Sequence, residues 1–76
     1  SELTVHPNPA KNYILISRLE LNTKINVQNT LGVTIQTALA DTETKRINIA
    51  HLPAGMYYIV LFNSEGRKTI KKIIKE

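Results

Sequence analysis

Side chains able to act as nucleophiles, acids, bases or metal ligands are few and scattered in this sequence. The two histidines, His6 and His51, lie in separate segments, and neither has an acidic residue at the spacing of a metal site. Cysteine is absent, which excludes a thiol nucleophile and a disulfide. The serines at positions 1, 17 and 64 stand in no nucleophile motif. We therefore expect no catalytic activity, no metal site and no cofactor.

The sequence also lacks the usual patterns of phosphate and nucleic-acid binding. Its three glycines are isolated and form no phosphate-binding loop. Asp41 and Glu43 alternate in a polar stretch and fit solvated positions. All aromatic residues lie inside apolar runs, which favours places in a core over a base-stacking platform; they are Tyr13, Tyr57, Tyr58 and Phe62. We expect no nucleic-acid partner, because the basic segment near the chain end contains no aromatic residue.

That basic segment, "GRKTIKKIIKE" at 66–76, holds half of the ten Lys and Arg residues of a chain with formal net charge +4. Its isoleucines have the spacing of one helix face, so an amphipathic membrane helix is one interpretation. A strand is favoured, because Thr69 and the isoleucines prefer strands and a helix after Ser64 would lack a capping box. The strand would place Ile70 and Ile74 on one face and Ile73 on the other. Its lysines either attract an anionic partner or form a solvated edge that prevents aggregation.

Seven short strand-like segments, separated by turns, predict an all-β sandwich or a small barrel. They are centred on residues 3–6, 13–16, 25–27, 33–36, 47–49, 56–62 and 68–74. Residues 36–45 are ambiguous between a strand extension with a loop and a short helix. Residues 56–62 are apolar throughout, which indicates a strand covered on both faces. The alternation predicts a core that includes Ile14, Ile16, Ile25, Val27, Ile47, Leu52, Tyr57, Ile59 and Leu61.

Two turns of the same form, "NTLG" at 29–32 and "NSEG" at 63–66, support antiparallel pairing. An Asn at the first turn position accepts hydrogen bonds from the backbone that follows, and the Gly allows a positive φ. We therefore predict two tight hairpins, the second of which joins residues 56–62 to the basic segment.

With 76 residues the chain makes one small domain, which buries only roughly 60% of its unfolded surface. No apolar run approaches the ~20 residues of a membrane span, and no signal-peptide pattern or initiator Met opens the chain. We expect that Ser1 marks a cut and that residues 1–76 are one domain excised from a larger protein.

Three segments, in order, carry a family resemblance. "VHPNPAKN" at 5–12 is similar to a Tyr-Pro-Asn-Pro signature, "INIAHLPAGMYYIVL" at 47–61 to a Leu-Pro-x-Gly-x-Tyr-x-Val block, and "TIKKIIK" at 69–75 to a terminal basic strand. Together they resemble the C-terminal sorting domains of the type IX secretion system of Bacteroidetes. His6 departs from the family's Tyr, but an amphipathic residue before Pro still fits an extended conformation.

The resemblance implies a seven-stranded, antiparallel, immunoglobulin-like sandwich that follows a secreted passenger on the same chain. It implies recognition by the outer-membrane translocon after the passenger reaches the periplasm, and removal at the cell surface by a sortase-like protease. The passenger is then often joined to anionic lipopolysaccharide. The domain itself would have no enzymatic activity and would not insert into the membrane. The alternative is a stand-alone surface-interaction or carbohydrate-binding sandwich, which would need exposed aromatic rings.

The residues expected to be recognised fall in the three similar segments. Prolines without N–H groups make a stiff entry corner, which either ends strand pairing or exposes the passenger junction. Gly55 shapes a second corner, and Tyr57 packs inward with its hydroxyl at the rim. A terminal edge strand offers backbone groups and charge to a partner, so the chain end would be part of what is recognised. The full set is Pro7, Asn8, Pro9, Gly55, Tyr57, Lys71, Lys72, Ile73, Ile74 and Lys75.

Overall fold

The computed structural model describes residues 2–76 and shows seven strands. They are β1 (Thr4–His6), β2 (Tyr13–Ser17), β3 (Lys24–Gln28), β4 (Thr34–Leu39), β5 (Lys45–Asn48), β6 (Gly55–Phe62) and β7 (Lys68–Lys75). The described residues form no helix, and so none long and apolar enough to cross a bilayer. The all-β prediction is confirmed, and the basic segment is a strand rather than an amphipathic helix.

The strands form two sheets, one of order β1-β2-β5 and one of order β4-β3-β6-β7. Every pairing between these strands is antiparallel. The sheets pack face to face, which confirms the predicted antiparallel sandwich and is consistent with an immunoglobulin-like arrangement. β7 lies at an edge of the larger sheet, as its mixed faces predict, and β6 lies inside that sheet.

The core follows the two-residue period of the strands, because alternate side chains point to opposite faces of a sheet. Eight of the nine predicted core residues are buried. Leu52 is only half-buried and packs against the core from the loop before β6. The structure adds further buried apolar residues to the core, namely Ala10, Leu19, Ala40, Ile49 and Ile73.

The expectation that all the aromatic residues lie in the core is wrong for three of the four. Tyr57 is buried among the core residues, but Tyr13, Tyr58 and Phe62 are half-buried. Tyr13 alternates with the buried Ile14, and Tyr58 alternates with the buried Ile59, so both rings lie on outer faces. Apolar runs alone do not distinguish the two faces of such a strand.

Both hairpin turns form as predicted and have the same hydrogen bonds. The side chain of Asn63 accepts from the N–H groups of Glu65 and Arg67 at 3.0 and 2.8 Å, and Gly66 has a φ of 84°. The side chain of Asn29 accepts from the N–H groups two and four residues later, and the glycine of that turn has a φ of 82°. The second hairpin sets the register that pairs β6 with β7 along their whole length.

Residues 36–39 belong to β4, residues 40–44 form a loop and Lys45 begins β5, so the alternative of a short helix is wrong. Gln36 pairs with the inward-facing Val27 and is half-buried, whereas Ile35 lies at a register shift, has no partner on β3 and is 41% exposed. The Nε2 of Gln36 donates to the backbone carbonyl of Asn48 at 3.0 Å. This bond joins β4 to β5 along one side of the sandwich.

Candidate functional site

The three segments with a family resemblance meet at one edge of the sandwich. β7 pairs with the start of β6, so that Gly55 faces Lys75 and Tyr57 faces Ile73. On the other side of β7 lies the connection between β1 and β2, where Ala10 forms a parallel bridge to Lys75. We call residues 7–10, 55–57 and 71–76 the motif edge. The fold thus makes one continuous surface from segments that lie far apart in the sequence.

Asn8 joins the entry corner to the last strand through its side chain. Its Oδ1 accepts from the backbone N–H of Ile74 at 2.9 Å, and its Nδ2 donates to the carbonyl of Lys72 at 3.1 Å. A carboxamide carries one acceptor and one donor group, so it imitates a peptide group here. Pro7 and Pro9 have no N–H to give to β7, and both bonds that precede them are cis. The side chain between them therefore makes the pairing.

Ala10 continues this pairing with its backbone. Its N–H donates to the carbonyl of Ile74 at 2.8 Å, and its carbonyl accepts from the N–H of Glu76 at 2.8 Å. Ala10 is 1% exposed and belongs to the core. Sequence reasoning missed Ala10, although a small apolar residue within the polar run "PNPAKN" is a signal of close packing.

The third segment is held by its own corner. Tyr57 is buried, and its hydroxyl donates to the carbonyl of Pro53 at 2.6 Å, which confirms the predicted inward ring with its polar end at the rim. Gly55 has a φ of 149°, a conformation that residues with a Cβ rarely adopt. The Tyr57 hydrogen bond and the Gly55 conformation therefore shape the corner before β6, at the point where Gly55 pairs with Lys75 of β7.

The family described as "secretion system C-terminal sorting domain" matches residues 4–76, almost the whole chain. The chain belongs to this family of type IX secretion sorting domains. Such a domain is an export signal, so the chain acts with the type IX secretion machinery and marks a protein for the cell surface or the outside. No curated protein matches the chain.

The sorting domain presents its terminal lysines differently from the expectation of free basic side chains. Lys72 is exposed, but Lys71 is half-buried and Lys75 is only 8% exposed. Lys71 and Lys75 lie on the inward face with the buried Ile73, because every second side chain of β7 points that way. The ammonium group of Lys75 donates to the carbonyl of Glu76 at 2.8 Å. Of these three lysines, only Lys72 is exposed on the outer face of the sheet.

The two isoleucines that are expected to be recognised, Ile73 and Ile74, also differ from each other. Ile73 is 0% exposed and packs in the core, whereas Ile74 is 40% exposed on the outer face. Ile73 therefore stabilises the sorting domain, and Ile74 contributes apolar surface beside Lys72. The buried Ile73 thus holds β7 against the core, while Ile74 leaves apolar surface accessible to a partner.

The two histidines are not part of the motif edge. His6 and His51 are exposed, and nowhere in residues 2–76 do three His, Asp or Glu side chains gather as metal ligands. The motif edge offers amide groups, an ammonium group and apolar surface. These groups are suited to recognition by another protein.

Proposed function

We propose that the type IX machinery recognises the sorting domain at its motif edge. In this proposal a passenger precedes the domain on the same chain and reaches the periplasm first. The outer-membrane translocon then binds the domain and moves the passenger to the cell surface. A sortase-like protease finally removes the domain, which has no enzymatic activity of its own.

The bonded pair of Asn8 and Ile74 is the observation that supports this proposal most. Because Asn8 lies against the terminal strand, a partner that covers Ile74 and Lys72 also meets the proline corner. Recognition of a joined surface would distinguish a folded sorting domain from an unfolded chain that contains the same motifs. The exposed fraction of Ile74 and the charge of Lys72 give that partner apolar and electrostatic contacts.

A reporter fusion tests the proposal. A folded reporter with an N-terminal export signal is placed before residues 1–76 and expressed in a host that has the type IX system. We expect the reporter at the cell surface, without the domain attached. A reporter that stays in the periplasm, although protease resistance shows that the fusion is folded, would contradict the proposal. A surface reporter that keeps the domain would contradict only the cleavage step.

A stand-alone carbohydrate-binding module has less support. Such a module needs exposed aromatic rings, and the outward rings of Tyr13, Tyr58 and Phe62 are half-buried. The guanidinium group of Arg46 covers the Tyr13 ring at 3.9 Å from its centre. Binding of sugars by the isolated domain, with no export of the reporter, would favour this alternative.

A further inference from the structure

The outer edge of β7 is closed over only part of its length. The peptide groups of Lys72 and Ile74 point away from β6, as their bonds with Asn8 and Ala10 show. Alternate residues of an antiparallel strand direct their N–H and C=O groups to the same side. The backbone groups of Lys68 and Ile70, and the N–H of Lys72, therefore also point away from β6, at the free edge of the sheet. None of them pairs with another of the described residues 2–76. We call residues 68–72 the open half-edge.

A cleft of about 390 Å³ lies beside the open half-edge, between β7 and the start of β1. Its apolar lining includes Leu3 and Leu61, and Thr69 and Lys71 reach it from the inward face of β7. The cleft separates the edges of the two sheets at the end of the sandwich opposite to Asn8. An added strand along β7 would place its inward side chains in this space.

The charges of the cleft favour an anionic occupant. Three basic residues, Arg18, Arg67 and Lys71, line it against two acidic ones, Glu2 and Glu20. Between residues 2 and 76 the single ion pair joins two other residues, Lys45 and Asp41, so the basic groups of the cleft are not neutralised by direct pairing. Carboxylates placed among them would gain favourable electrostatic contacts.

On the outer face of the sheet, the open half-edge presents an apolar side chain between two lysines. Ile70 is 52% exposed there, between the exposed Lys68 and Lys72. Apolar side chains on an added strand would cover Ile70 and the aliphatic stems of the two lysines. The two sides together favour a strand whose inward residues are acidic and whose outward residues are apolar.

We propose that the open half-edge binds, as an added β-strand, an extended segment of a partner protein in which acidic and apolar residues alternate. Main-chain bonds to Lys68, Ile70 and Lys72 hold the segment, and its carboxylates enter the cleft near Arg67 and Lys71. A second copy of the domain is disfavoured, because an antiparallel pair of β7 strands would place Lys68 opposite Lys72 or close to it. This inference deepens the proposed function. It rests on that function only in one respect, namely that the partner protein belongs to the secretion machinery.

Binding of a synthetic peptide to the isolated domain tests this inference. The probe is a heptapeptide that alternates glutamate and valine, and the control alternates lysine and valine. We expect binding of the probe alone, with slower hydrogen exchange at the amides of Lys68, Ile70 and Lys72. High salt should weaken the binding, because part of it is electrostatic. The exchange of the Ile74 amide, which already pairs with Asn8, should change least.

Two variants separate the backbone contacts from the charges. Arg67→Gln combined with Lys71→Gln should weaken binding by about tenfold or more, because the carboxylates lose two basic partners. Ile70→Pro removes an outward N–H without removing a bond to β6, and edge strands tolerate proline at such positions. In this variant the probe should no longer slow the exchange of the Lys68 and Lys72 amides. If that variant unfolds, the double glutamine variant decides the result.

Equal binding of both peptides, or no change of exchange at Ile70 when the probe is bound, would overturn the inference. Protection of Ile70 in a dimer without peptide, detected by sedimentation, would identify a second copy as the occupant and would overturn it as well. The measurement does not involve secretion. A domain that binds the probe but fails to export the reporter would therefore refute the proposed function and leave this inference standing.

Discussion

The Oδ1 of Asn8 accepts a hydrogen bond of 2.9 Å from the backbone N–H of Ile74, across 66 residues of sequence. The same side chain donates to the carbonyl of Lys72, so that Asn8 takes the place of a short strand at the edge of β7. Neither proline beside it has an N–H to donate to Lys72. The Pro-Asn-Pro sequence therefore has a direct structural role as well as its proposed role in recognition.

Asn8→Ala should lower the free energy of unfolding by about 1–2 kcal/mol, because it removes two hydrogen bonds at a partly hydrated site. Urea unfolding measures the loss, and faster hydrogen exchange at the Ile74 amide locates it. Asn12→Ala is a matched control, since the exposed Asn12 side chain bonds to none of residues 2–76. Equal losses in the two variants would show that the contact with Ile74 contributes nothing.

Lys72→Gln should reduce export of the reporter and leave the thermal midpoint almost unchanged, because exposed charges contribute little to stability. Lys24→Gln is the control, since Lys24 is also an exposed lysine of the larger sheet but lies on β3. Lys75 is unsuitable for this test because it is buried, and its replacement would change the packing. Normal export of the Lys72 variant would mean that its charge is only a solvated feature of the edge.

Ile59→Ala should cost about 2–5 kcal/mol of stability, because the side chain is fully buried on β6 and its loss leaves a cavity. Ile70→Ala removes the same atoms from a position that is 52% exposed, and should cost less than about 1 kcal/mol. Denaturant unfolding of both variants measures the difference. Similar costs at the two positions would contradict the described burial.

Tyr57→Phe should destabilise the domain by about 0.5–1.5 kcal/mol, because the carbonyl of Pro53 loses its donor at a partly buried corner. Tyr58→Phe is the control on the same strand, since the Tyr58 hydroxyl forms no hydrogen bond with residues 2–76. Thermal unfolding compares the two. A larger loss at Tyr58 would mean that the corner does not depend on this bond.

Local chemistry made much of the fold predictable. Asn29 and Asn63 determine their turns through bonds to residues two and four positions away, so the hairpins could be read directly from the sequence. The period of two identified the inward faces of β2, β3 and β6. It does not predict the exposure of Ile35, because β4 has one extra residue there relative to β3 and Ile35 has no partner in the register.

The contacts of the candidate site were less predictable. Asn8 and Ala10 pair with residues more than sixty positions away, and no local pattern specifies that partner. Lys75 is charged, which suggests exposure, but the alternation of β7 turns it inward and its long stem is covered by the sandwich. The family resemblance located the three segments without indicating that they meet.

The bond between Asn8 and Ile74 also imposes an order in time. Synthesis proceeds at about 5–20 residues per second, so several seconds separate the appearance of these two residues. Until the last strand emerges, Asn8 and Ala10 have no partner at the edge, and the buried position of Ile73 is empty. The domain can therefore complete its fold only after its final residues have been made, and a chain interrupted before them cannot form the surface that we propose is recognised.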